Sequence, residues 1–275
     1  MSAARSRRPF RFTLPAMVAA VLLSACSTTP ETTEHPEWQR FFDADSVRGA
    51  VIITETADGG SHVCNPEWVD RPLLPASTFK ILNALIAIET GVVTDADDTF
   101  AWDGVDRGWE RWNRDLDLRS AFRYSAVWVF QEIARRIGEE RMGEWVKRAG
   151  YGNGDIGGGI DRFWLEGALR ITPREQVGFL IRLHRGDLPF SSHTMAIVKS
   201  LMLMEEGDGY RLRGKTGWAT ASDPQPGWLV GWVERGETAA IFATVIDMAR
   251  MAQAPLRERI SRAVLTDMGW LPAAR

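Results

Sequence analysis

The spacing of apolar positions divides the chain into three stretches with different periods. A β-branched run over residues 50–56 reads as a strand, Asp58-Gly59-Gly60 as a turn, and residues 61–64 as a return strand, which together predict a hairpin. From Thr78 the period lengthens to that of a helix. Leu82, Leu85, Ile86 and Ala87 mark an apolar stripe, and Gly91 is placed to end it. Helices are also predicted over residues 127–137, 141–149, 173–184 and 193–204, split by glycine-rich turns such as Gly157-Gly158-Gly159. The last third returns to strand character over residues 210–216, 228–234 and 238–247, with Glu234-Arg235-Gly236-Glu237 as a hairpin turn. Pro255 then opens a final helix. Strands at both ends and helices between them predict an α+β fold. In it, an antiparallel sheet built from both chain ends is flanked by helices and carries an inserted all-helical lobe, with a cleft between lobe and sheet.

The first residues follow a different rule. Arg5, Arg7, Arg8 and Arg11 precede an apolar stretch over residues 12–23 that is too short to span a membrane in the usual way. This reads as an export signal over residues 1–25. Leu23-Ser24-Ala25-Cys26 resembles a lipobox, in which Cys26 is lipidated and becomes the first mature residue; a plain signal peptide with cleavage nearby is the alternative. The pair Arg7-Arg8 resembles a twin-arginine signal, although arginine clusters are ordinary in such segments. The expected organisation is a polar tether over residues 26–36 and one domain over residues 37–275. Its sheet lobe comes from residues 37–75 and 205–275, and its helical lobe from residues 76–204. The protein is therefore expected outside the cytoplasm, in the periplasm, touching a membrane only through a lipid on Cys26.

Composition narrows the function. With 275 residues, 45% hydrophobic and 25% charged, the chain can build a sizeable core. Twelve tryptophans against three tyrosines suit core and cleft packing better than a cofactor stack. Loss of the signal removes four of the 33 basic residues and none of the 36 acids, taking the net charge from −3 to −7. With no basic stripe, nucleic acid is not an expected partner. If Cys26 carries lipid, Cys64 is the one thiol left and no intramolecular disulfide can form.

Candidate chemistry begins at Ser77 and Lys80, three residues apart in Leu74-Pro75-Ala76-Ser77-Thr78-Phe79-Lys80. One helical turn puts the hydroxyl and the amine on one face, beside first-turn N–H groups that no helical carbonyl uses. A serine needs a base within hydrogen-bond reach, and a lysine can act as one only when neutral. Burial can lower a lysine pKa by roughly 3–5 units, which would free the amine. Alone, this pair also fits a helix N-terminal serine with a surface lysine. Two more triplets change that. Ser125-Ala126-Val127 sits at a predicted helix start, where a second serine could relay a proton to a leaving nitrogen or simply cap the helix. Lys215-Thr216-Gly217 closes a predicted strand, with a cation for a carboxylate, a hydroxyl, and a glycine that lets a ligand approach the backbone. The ordered set is characteristic of penicillin-recognising serine acyltransferases.

From about Ala50 to the last helix the chain resembles the class D, oxacillinase-type, serine β-lactamases. The boxes that carry the resemblance are Ser77-Thr78-Phe79-Lys80, Ser125-Ala126-Val127, Tyr151-Gly152-Asn153 and Lys215-Thr216-Gly217. Trp102-Asp103-Gly104, Trp112-Asn113-Arg114-Asp115, Phe163-Trp164-Leu165-Glu166-Gly167 and Pro255-Leu256-Arg257 also match. The resemblance implies the β-lactamase and penicillin-binding transpeptidase-like fold, hydrolysis of penicillins, and an acyl-enzyme on Ser77. It implies that Lys80 is carbamylated by carbon dioxide or bicarbonate, with no other cofactor and no metal, and that Trp164 donates its indole N–H to the carbamate. Ser125 would relay protons, and Val127 and Leu165 would form a lid. The backbone N–H groups of Ser77 and Trp218 would make an oxyanion hole, and Lys215, Thr216, Gly217 and Arg257 would hold the substrate. A homodimer is compatible with this.

The resemblance leaves alternatives. A β-lactam sensor or a penicillin-binding protein would share the acylation but not efficient turnover. Glu166 as base is set against a solvent-facing acid, Tyr151 as phenolate base against a structural hydrogen bond, and Cys64 as nucleophile against a packed thiol. Trp218 stands where a smaller aromatic is frequent in the family, and residues 219–226 lack the basic residue of some carbapenem-hydrolysing relatives. Four histidines with no ligand spacing (His35, His62, His184 and His193) and the lack of a Gly-x-Ser-x-Gly elbow argue against metal and Ser-His-Asp hydrolases.

Overall fold

The computed structural model describes residues 31–273, so the signal segment and Cys26 lie outside the described residues. In chain order the strands are β1 (Thr32–Glu34), β2 (Gly49–Glu55), β3 (Ser61–Cys64), β4 (Thr99–Phe100), β5 (Leu116–Asp117), β6 (Leu203–Gly207), β7 (Tyr210–Trp218), β8 (Pro226–Arg235) and β9 (Thr238–Asp247). The helices are α1 (Gln39–Asp43), α2 (Pro66–Val69), α3 (Lys80–Glu89), α4 (Leu118–Arg123), α5 (Val127–Ile137), α6 (Glu139–Ala149), α7 (Pro173–Arg185), α8 (Ser192–Leu201) and α9 (Ala254–Asp267). Seven strands form one sheet in the order β1-β3-β2-β9-β8-β7-β6, and β4 and β5 make a small separate ribbon.

The sheet is closed by the two ends of the chain because β2, near the start, pairs antiparallel with β9, near the end, from Gly49↔Ile246 to Glu55↔Ala240. Its central strands read as continuous apolar runs because both faces are covered. Alternation then sorts each strand. Ala50, Ile52, Trp228, Val230, Ile241 and Ala243 face the helical side, while Val51, Ile53, Leu229, Val233, Phe242 and Ile246 face Ile260, Val264 and Leu265 of α9. At about 1.5–3 kcal/mol for each large aliphatic side chain fully buried, these two layers dominate the stability.

Two expectations need correction. Part of the expected tether is structured: Thr32–Glu34 adds to β3 as a parallel edge strand, so the sheet is antiparallel with one parallel pair. The helix expected over residues 193–204 stops at Leu201, and Leu203–Gly207 becomes edge strand β6 beside β7. The apolar run Leu201 to Met204 suits either state; the β7 edge decides it, with Met202 O accepting the Gly214 N–H at 2.7 Å. The helix α7 flanks the sheet, packing across β2, β8 and β9. Its start is well specified by Pro173 and by the reciprocal Thr172–Glu175 capping box.

Candidate active site

Ser77 sits in a 3₁₀ turn, Ala76–Phe79, that runs into α3. The turn is held from several sides. Ala76 N–H donates to Trp164 O at 2.9 Å, Trp228 Nε1 donates to Leu74 O at 2.9 Å, and Thr78 Oγ1 donates to Pro75 O at 2.8 Å. Behind it, the buried Gln176 amide of α7 donates to Thr78 Oγ1 at 2.7 Å and to Tyr151 Oη at 3.1 Å. These contacts hold Ala76 at φ +48°, a left-handed conformation that costs a β-carbon residue on the order of 1–3 kcal/mol. Thr78 N–H goes to Pro75 O, so among the described residues the Ser77 N–H between them has no backbone partner.

Lys80 begins α3 and is fully buried. Its Nζ donates to Ser77 Oγ at 2.7 Å and lies 5.4 Å from the centre of the Phe130 ring. Burial first, and the nearby Lys215 charge second, hold its pKa well below that of an ordinary lysine. No carboxylate pairs with it among the described residues. The Ser77 hydroxyl and the Lys80 amine are therefore within hydrogen-bond reach of each other. Trp164 is fully buried and stacks on Phe79, the residue before Lys80, with ring centres 5.3 Å apart. Among the described residues its indole N–H has no hydrogen-bond partner, an unusual state for a buried donor. Val127 and Leu165 are half-buried.

The facing wall is β7. Lys215 is buried and donates to Ser125 Oγ, in a short contact, and to Thr216 O at 3.1 Å. Burial first, and Arg257 second, bring its pKa down from 10.5 to about 7. Ser125 holds a left-handed backbone (φ +57°) at the turn between α4 and α5 rather than capping α5 with its side chain. Gly217 permits the approach of the two walls: a β-carbon there would lie 3.0 Å from Pro75 O and 3.2 Å from Thr78 N. Backbone direction alternates along β7. Gly214 N–H points to Met202, and Ala219 N–H points the opposite way, to Pro226, so Trp218 N–H faces the open edge beyond β6. Its large side chain is turned aside, with the indole donating to Met248 O at 2.8 Å. Arg257 of α9 donates to Gly217 O at 2.7 Å, and burial lowers its pKa to about 10.

The competing bases and nucleophile are not placed for chemistry. Glu166 is exposed and paired with Arg162. Burial raises the Tyr151 hydroxyl pKa, and the hydroxyl accepts from Gln176. Cys64 is buried on the α9 side of the sheet, where burial pushes its thiol up to about 11, and His62 bonds His35 instead. Sequence reading missed Gln176, Phe130 and Phe122. Gln176 lies 98 residues from the threonine it holds, and the two phenylalanines, which sit by the lysines, look like any core residue.

The penicillin binding protein transpeptidase domain family matches the chain over residues 55–266. The β-lactamase OXA-5 of Pseudomonas aeruginosa is 38% identical over 260 residues, covering 94% of this chain and 97% of that protein. A class D β-lactamase structure from Nostoc superposes with a TM-score of 0.84 at 43% identity, covering 86% of this chain and all of that one. The FUS-1 (OXA-85) class D β-lactamase of Fusobacterium nucleatum also superposes at 0.84, with 34% identity over 87% of this chain and all of that one.

Proposed function

The chain belongs to the class D β-lactamases, hydrolases acting on β-lactams, and from that premise we propose that it hydrolyses penicillins of the oxacillin type through an acyl-enzyme on Ser77, with carbamylated Lys80 as general base. The observation that carries this reading is the fully buried Lys80 amine, 2.7 Å from Ser77 Oγ and without a carboxylate partner. Only a neutral amine adds carbon dioxide, and burial, by holding the Lys80 pKa well below that of an ordinary lysine, favours that form. The unpartnered Trp164 N–H beside Phe79 suits a new acceptor in this pocket. With carbon dioxide on its Nζ, Lys80 would offer a carboxylate-like acceptor for protons.

The other residues divide the remaining work. Ser77 Oγ attacks the lactam carbonyl carbon and loses its proton toward Lys80, and the carbonyl oxygen collects negative charge. The Ser77 and Trp218 N–H groups would receive that charge, each donor being worth about 10²–10³ in rate. The ring C–N bond then breaks, and the proton that Lys80 took from Ser77 passes through Ser125 to the ring nitrogen, while Lys215, hydrogen-bonded to Ser125, keeps its charge. Lys215, Thr216 and Arg257 would anchor the substrate carboxylate; a carboxylate arriving beside Lys215 favours its charged form, reversing the effect of burial. Water finally adds to the ester carbonyl and releases Ser77 and the ring-opened acid, so one water is consumed per turnover. We propose export and lipidation at Cys26 on the sequence pattern alone, which a mass measurement of the mature protein would check.

A chromogenic cephalosporin assay tests this reading. Turnover should fall when bicarbonate is removed and recover on its return. Stoichiometric acylation without turnover would replace the reading with a sensor or penicillin-binding protein, and indifference to bicarbonate would remove the carbamate.

A further inference from the structure

A cavity of about 530 Å³ adjoins the proposed carboxylate anchor and shares Lys215 and Thr216 with it. Its remaining walls come from α4, the end of α8 and β6. The apolar lining includes Phe122, Met202 and Met204, the first two buried and the last 40% exposed. Two arginines one helical turn apart on α4, Arg119 and Arg123, also line it. Arg119 makes a long, exposed pair with Asp97 at 3.7 Å, whereas Arg123 has no ion-pair partner among the described residues. The acids on the opposite wall are already engaged: Glu205 by Tyr210 and Arg262, and Glu206 by Arg211. The cavity therefore offers an apolar floor with an uncompensated guanidinium at its rim. A flat ring carrying negative charge matches both, because arginine pairs with anions and also stacks on aromatic faces.

Bicyclic β-lactams differ in what they carry beside the carboxylate. In penicillins the carbon next to the carboxylate-bearing carbon holds two methyl groups, whereas in cephalosporins that carbon, C3, holds the variable substituent. A group on C3 is thus the part of a substrate nearest to the residues that hold the carboxylate. We propose that this cavity is a subsite for the C3 substituent of cephalosporins, selecting anionic or heteroaromatic groups through Arg123, with Arg119 in support. This rests on the reading of Lys215 and Thr216 as the carboxylate anchor given above.

The test compares two cephalosporins with the same C7 side chain, one bearing a C3 methyl group and the other a C3 thiomethyl-linked anionic heterocycle. The ratio of their kcat/KM values is measured in the wild type and in Arg123→Ala, Arg123→Lys and Arg123→Glu. Taking the ratio across variants cancels the intrinsic reactivity of each compound. The ratio should fall roughly fivefold in Arg123→Ala, the size of a partly exposed charge contact, and further in Arg123→Glu. Arg123→Lys should recover part of it, because the charge stays while the planar fork is lost. An identical ratio in all four proteins overturns the subsite. If neither cephalosporin nor a penicillin is hydrolysed by the wild type, the fault lies instead with the hydrolase reading on which it depends.

Discussion

The two faces of the central sheet are built from the same strands by the same alternation, yet they follow opposite electrostatic rules. On the α9 face the buried Ser261 and Thr244 hydroxyls partner each other, with Ser261 Oγ donating to Thr244 Oγ1 or Arg257 O, both at 2.7 Å, and burial raises the Cys64 thiol pKa to about 11. On the helical face, among the described residues, two buried lysines, Lys80 and Lys215, have no acid beside them, and the buried Trp164 N–H lacks an acceptor. The first arrangement is what stability alone would select. The second lowers both amines well below their usual range and keeps a proton acceptor next to Ser77. Local rules of polar satisfaction are broken where chemistry is done and kept where it is not.

Four substitutions sharpen the contrast, in falling order of effect on catalysis. Lys80→Ala removes the base, so turnover should drop by about 10²–10⁴ while acylated Ser77 accumulates, as intact-protein mass spectrometry would read. Unchanged steady-state turnover would remove the assignment. Next, Lys215→Met keeps the volume and deletes the anchor, and kcat/KM for penicillins should fall by about 10–10², the worth of a charge-assisted hydrogen bond.

The same Lys215→Met change has a signed effect on stability. A lysine whose folded pKa is about 7 against an ordinary 10.5 binds its proton more weakly in the folded state, so it costs stability. That cost is complete below pH 7 and fades as pH rises from about 7 to 10.5. Lys215→Met should therefore melt higher than the wild type at neutral pH, with the gap closing in alkaline buffer. A gap that widens with pH contradicts the assignment. Third, Trp164→Phe preserves the stack on Phe79 but deletes the N–H donor, and it should raise the bicarbonate needed for half-maximal activity by about tenfold. Last, Ser261→Ala on the α9 face strands the Thr244 hydroxyl. It should cost about 1–3 kcal/mol in denaturant melts and leave kcat/KM alone.

Much of the helical face was legible before the structure. The four-residue span from Ser77 to Lys80 needs only one turn of chain, and Lys215-Thr216-Gly217 needs only a strand end, so short-range geometry sufficed. Apolar or β-branched runs bounded by a clear turn were also readable: Thr238–Asp247 and Ser61–Cys64 fall where their patterns place them. The misreadings lie where the partner decides. Thr32–Glu34 is polar and short, and it is a strand because β3 offers an edge. Leu203–Gly207 is a strand because β7 does. Likewise nothing local marks Gln176 as the support of the nucleophile turn, or Arg123 as the rim of a cavity, since both depend on elements far away in sequence.

The central claim is that the buried Lys80 amine adds carbon dioxide and works as its carbamate during catalysis. Carbon-13 NMR of the enzyme in labelled bicarbonate tests it most directly. The account predicts a protein-bound carbamate signal that grows and fades with activity as bicarbonate is added and removed, and that is missing in Lys80→Ala. Full turnover with no such signal would contradict it.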